Sequence, residues 1–112
     1  MAIRKNEAYT NKVLEMADLA KAFSHPARIM IIELLFKHKD RTCKEIVAEL
    51  PLSQPTVSQH LKELMVAGLI CRKQFGAQSL YCVEWNQLER VFLLFERFKY
   101  KIMPERPKRN CC

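Results

Sequence analysis

A chain of 112 residues is long enough to build one hydrophobic core and too short for two. Its 19 Lys and Arg against 12 Asp and Glu leave a formal charge of +7, which favours a polyanionic partner such as nucleic acid or an anionic membrane surface. No apolar run approaches the roughly 18 residues of a membrane span, and Met1 to Thr10 lacks the apolar middle of a signal peptide. Five cysteines without repeated Cys-x-x-Cys spacing argue against a disulfide framework, so a cytoplasmic protein with reduced thiols is expected.

The segment from Glu7 to Phe23 carries Val13, Ala17 and Ala20 on one face at helical spacing, flanked by Leu14 and Met16, which predicts a first helix. Ser24 and His25 before Pro26 form a helix start signal. The following ARIMIIELLFKH is apolar nearly all round, as the buried centre of a small domain would be. Thr42 is placed to cap a short third helix, Cys43 to Leu50, with Ile46, Val47 and Leu50 inward and Pro51 ending it. Ser53 is the natural N-cap of a fourth helix, whose first turn tolerates Pro55 and which Gly68 stops.

Helix, tight turn and a second helix that is polar on one side form a helix-turn-helix. Stepping 100° per residue from Val57, Leu61 and Leu64 fall within about 40°, while Pro55, Gln59 and Lys62 fall nearly opposite, with Thr56, Ser58 and Glu63 flanking them. Gln, Ser and Thr suit base edges and Lys suits phosphate, so a DNA major groove would satisfy this face. An ordinary solvated face would read the same way in isolation.

The stretch GLICRKQFGAQSLYCVEW predicts two short strands, Leu69 to Gln74 and Ser79 to Trp85, around a Gly-containing turn. This wing puts Arg72 and Lys73 where they can reach phosphates or the minor groove. Centring the turn on Gly76 and Ala77 sets Cys71 opposite Cys82, either as two small packed side chains or as a redox pair. Asn86 is read as the cap of a last helix. Its stripe of Leu88, Val91, Phe92, Phe95 and Phe98 exceeds what a small core needs and predicts a dimer interface shared with Val13 and Ala17 of the first helix.

From about Asp18 to Trp85 the chain resembles the ArsR/SmtB-type winged helix-turn-helix repressors, through FSHPARIMIIELL, LSQPTVSQHLKELMVAGLI and GAQSLY. The resemblance implies a mainly α fold with a two-stranded β-wing, in which four helices, two strands and a fifth helix make each protomer of a homodimer. Such a dimer would bind an inverted-repeat operator in double-stranded DNA and release it when an effector binds. By position, Gln54, Thr56, Ser58, Gln59, His60 and Lys62 would face or border the DNA, although the helical wheel sets His60 toward the buried edge. The chain departs from the family at the effector. RTCKEI places Thr42 and Lys44 at the usual thiolate positions, and the last helix has no His for the other metal site.

Residues 1–102 are therefore expected to be the DNA-binding and dimerisation domain and 103–112 a mobile tail. At the tail's end the adjacent Cys111 and Cys112 are candidate ligands for As(III) or another thiophilic ion, the alternative being an inert tail. An enzyme is not expected. Two glycines make no phosphate-cradling loop, and His25, His38 and His60 have no sequence-level acid or nucleophile beside them. The remaining rival is a winged helix that serves protein or RNA contacts without an operator.

Overall fold

The computed structural model describes residues 8–108. In chain order they form α1 (Asn11–Ala22), α2 (Pro26–His38), α3 (Cys43–Ala48), α4 (Gln54–Val66), β1 (Ile70–Phe75), β2 (Gln78–Val83) and α5 (Trp85–Ile102), followed by a 3-10 turn, Met103–Glu105. The predicted mainly α fold with one antiparallel β-wing is what the chain adopts.

Local chemistry sets most boundaries. Thr10 accepts the Val13 amide at 3.3 Å and starts α1, so the helix begins later than its apolar pattern suggests. His25 caps α2 by accepting the Ala27 amide on Nδ1 at 3.0 Å, with Pro26 in the first turn. Thr42 and Glu45 make a reciprocal capping box on α3, and Arg41 adds a 2.8 Å ion pair to the same carboxylate. Those bonds hold the Glu45 carboxyl below the usual carboxylate range, the Thr42 backbone amide contributing most. Gly68, at φ +76°, turns the chain out of α4, and the Leu69 amide returns to the Leu64 carbonyl.

Ile31, Ile46, Val57, Leu61, Leu64 and Leu69 are the most deeply buried large side chains and pack α2, α3 and α4 around one centre. The hairpin joins this core through Ile70, Tyr81 and Val83. Its register pairs Cys71 with Cys82, as the turn position predicts. A further bridge, Arg41 to Tyr81, pins the loop ahead of α3 to the wing, with the Tyr81 amide donating to Arg41 at 2.7 Å.

Three expectations are corrected. Helix α2 is not buried all round: Ala27, Ile31, Ile32 and Leu35 point inward, while Ile29, Met30 and Phe36 face outward. The last helix starts at Trp85 with Glu84 in the cap position, so Asn86 is already inside its first turn. Leu88 and Val91 do not stand on the surface with the rings of the expected interface: both are buried, with Leu94, in the chain's own core. None of the described helices is long and apolar enough to cross a membrane.

Candidate nucleic-acid interface

Helix α4 turns Val57, Leu61 and Leu64 into the core and leaves Gln54, Thr56, Gln59 and Lys62 exposed. This is the amphipathic division that the spacing predicts. The polar side is partly preorganised. Ser53 and Thr56 share a hydroxyl contact of 3.0 Å, Gln54 donates to Ser58 at 2.8 Å, and Gln59 donates to Glu63 at 3.1 Å. Ser58 is half-buried, and its hydroxyl also lies 3.7 Å from the Cys43 thiol, so it braces the helix against α3 as well as lining the polar face.

His60 is displaced from this face. Its side chain is 8% exposed, accepts Arg28 Nε on Nδ1 at 3.1 Å, and lies against the His25 ring with centroids 4.3 Å apart. Burial, then the charges of His25 and Arg28, push its pKa below the ordinary histidine value, with Glu63 opposing. A neutral ring with one acceptor nitrogen committed to Arg28 positions α4 against α2 and is not available to read a base. No local signal pairs Arg28 with His60; only the fold brings two residues 32 positions apart into contact.

On the wing Arg72 and Lys73 are both exposed, as are Gln74 and Gln78. Strand alternation puts Arg72 and Lys73 on opposite faces, so the hairpin offers a cation to each side. Lys62 on α4 is a third exposed cation, and all three are of a type suited to phosphate.

At the other end of the domain α1 and α5 are tied by a two-pronged ion pair, Glu15 to Arg90, with both contacts at 2.9 Å. The Arg90 guanidinium holds the Glu15 carboxyl below its usual range. Around this tie Val13, Ala17, Phe92, Phe95 and Phe98 are exposed, and Ala20, Phe23, Val91, Phe92 and Phe95 line an apolar groove of about 310 Å³. Five of the seven expected interface residues therefore remain on the surface.

The family profile described as bacterial regulatory protein, arsR family, matches residues 25–71, from the cap of α2 to the first strand. The chain is 31% identical over 85 residues to an HTH-type transcriptional regulator of Methanocaldococcus jannaschii, covering 76% of this chain and 96% of that one. The chain belongs to the ArsR family of bacterial regulatory proteins. It is also 35% identical to the transcriptional repressor PagR of Bacillus anthracis, over 70% of this chain and 78% of the repressor. The crystal structure of PagR superposes with a TM-score of 0.61 at 31% identity, covering 73% of this chain and 94% of that one. An ArsR-family chain with this helix-turn-helix is a DNA-binding transcription regulator.

The thiols separate by environment. Cys43 is half-buried beside Ser58 and Gln54. Burial, reinforced by Cys82 and Glu84, pushes the Cys71 thiol up to about 12, which disfavours the thiolate that redox or metal chemistry needs. Cys82 is buried and donates to the Cys71 carbonyl at 3.8 Å. No group of three or more His, Cys, Asp or Glu able to hold a metal occurs among the described residues. Cys111 and Cys112 lie outside those residues.

Proposed function

We propose that this ArsR-family regulator is a homodimeric repressor that occupies an inverted-repeat operator and leaves it when a thiophilic effector binds. The observation that carries the reading is the division of one small domain into two unpartnered surfaces. One is the exposed polar face of α4 with its cationic wing; the other is the apolar face of α1 and α5. Joining two copies through Val13, Ala17, Phe92, Phe95 and Phe98 covers the second and presents the first twice, which matches a two-fold repeat in DNA. Gln54, Thr56 and Gln59 then read base edges, while Lys62, Arg72 and Lys73 hold phosphates.

The chain acts by binding and not by catalysis. His25 and His60, two of its three imidazoles, are committed to each other, to a helix cap and to Arg28. A regulator that works on DNA belongs in the compartment that holds it, so we assign the chain to the cytoplasm, a reading supported by Cys43, Cys71 and Cys82 as free thiols that suit a reducing environment. For the effector, Thr42 is spent on the α3 capping box and Lys44 cannot ligate a soft ion. The vicinal Cys111 and Cys112 are the remaining thiol pair suited to As(III) or a similar ion.

Selection of bound sequences from random duplex DNA tests the reading. A two-fold repeat with half-sites about one helical turn apart is the expected product. Recovery of no preferred duplex, or preference for RNA, would replace the operator reading with a winged helix that serves another partner.

A further inference from the structure

The wing carries one side chain that phosphate binding leaves without a role. Phe75 ends β1 beside the Gly76–Ala77 turn and is 58% exposed. Tyr81, opposite Arg72, belongs to the outermost rung with a buried member, and Phe75 lies three rungs beyond it. At about 3.3 Å per residue the ring stands roughly 10 Å out from that rung, beyond reach of the core.

Three features around the ring describe what it meets. The hairpin from Ile70 to Val83 contains Arg72 and Lys73 and no acidic residue. The exposed neighbours Lys73, Gln74 and Gln78 are polar, and Phe75 is the one exposed large apolar side chain of the hairpin, with Leu80 half-buried behind it on the same face. The tip is also braced: Gln74 donates to the Gly76 carbonyl at 3.2 Å and accepts the Ser79 hydroxyl at 2.8 Å, so one amide spans the turn. An exposed aromatic ring at a braced turn, two and three residues beyond Lys73 and Arg72, fits a surface that alternates phosphates with apolar slots. A stacked duplex is that surface, and its minor groove, about 7.5 Å deep, is within the projection of the tip.

We infer that Phe75 is an apolar wedge that enters the minor groove between adjacent base pairs, partly unstacks that step and bends the operator. The inference rests on the DNA-binding reading above and adds to it a specificity device outside the recognition helix. Because unstacking costs least at pyrimidine–purine steps, the operator should carry such a step, TA or CA, beneath each wing, although no side chain there reads a base edge.

The test uses the full chain and the selected duplex, with 2-aminopurine placed in turn at each position flanking the half-sites. Wild type should raise 2-aminopurine fluorescence at one step per half-site and bend the duplex in an end-to-end energy-transfer assay. Phe75→Ala should lose both signals and bind about tenfold or more weakly, since loss of base stacking on an aromatic side chain has effects of that order. Phe75→Leu should retain a fluorescence rise, because a branched apolar side chain still wedges. Phe75→Lys should keep affinity for phosphate and lose the bend. Equal circular dichroism spectra for all variants are expected of an exposed residue and show that none has failed to fold. Bend and fluorescence from Phe75→Ala or Phe75→Lys that match wild type would overturn the wedge while leaving operator binding intact. Absence of any preferred duplex for wild type would overturn the underlying reading and the wedge with it.

Discussion

Replacing Phe92 with Asp is the sharpest perturbation of the proposed dimer. Phe92 is 62% exposed, the most accessible ring of the α5 stripe, so the substitution leaves the protomer core nearly untouched. A phenylalanine side chain buries about 150–250 Å² when fully covered. The exposed share is then roughly 120 Å² per copy, or about 240 Å² across a two-fold interface that uses it twice. At about 25 cal/mol per Å² complete coverage is worth about 6 kcal/mol. Incomplete packing and side-chain ordering halve that to about 3 kcal/mol, and each 1.4 kcal/mol is a factor of about ten in Kd. Dimerisation should therefore weaken at least about 100-fold, more if the two introduced carboxylates face each other. Sedimentation equilibrium from nanomolar to micromolar protein measures it directly, and operator affinity should fall in parallel because one half-site alone holds weakly. A monomer–dimer constant within twofold of wild type, in a variant with an unchanged circular dichroism spectrum, would refute the assignment of this face.

Three other outcomes are expected. Gln59→Ala should lose about 1–3 kcal/mol at particular base pairs, whereas Arg72→Ala should weaken all duplexes alike and flatten the salt dependence; matching losses on matched and mismatched operators would contradict this division. The folded state keeps His60 neutral, so below about pH 6.5 the unfolded chain takes up the proton first. Stability should be full above that pH and decline as pH falls toward the lowered folded value; urea midpoints measured between pH 5 and 8 should fall less in His60→Gln than in wild type. Deleting Cys111 and Cys112 should leave operator affinity intact and abolish release by arsenite; unchanged release would move the sensing thiol to Cys43, Cys71 or Cys82.

Much of this fold was legible because its boundaries are local chemistry. Thr42 with Glu45, Pro26, Pro55 and Gly68 each act within a few residues, so the helices and the tight turn between α3 and α4 could be read in one dimension. The wing register was equally legible, since the turn centre at Gly76–Ala77 fixes every pair behind it. What periodicity could not reveal was which of two apolar faces the chain would keep for itself. On α5 the stripe of Leu88, Val91, Phe92, Phe95 and Phe98 is divided, the first two going to the core and the rings staying outside. On α1 Leu19 and Ala22 pack inward while Val13 and Ala17 remain exposed, because α1 meets α5 along a different side. The links between Arg28 and His60 and between Arg41 and Tyr81 span distant positions and depend on how α2 and the wing settle against α4 and α3. His60 shows the difference most plainly: the wheel placed it near the buried edge, and the partner that keeps it there lies on another helix.

Titrating the selected two-fold duplex and a shuffled duplex of the same composition, at several salt concentrations with stoichiometry determined, tests the central claim most directly. Two protomers should bind each selected duplex at least about a thousandfold more tightly than the shuffled one, with affinity falling steeply as salt rises. Equal affinity for both duplexes at every salt concentration would contradict the account, since it would make the polar face of α4 an ordinary solvated surface.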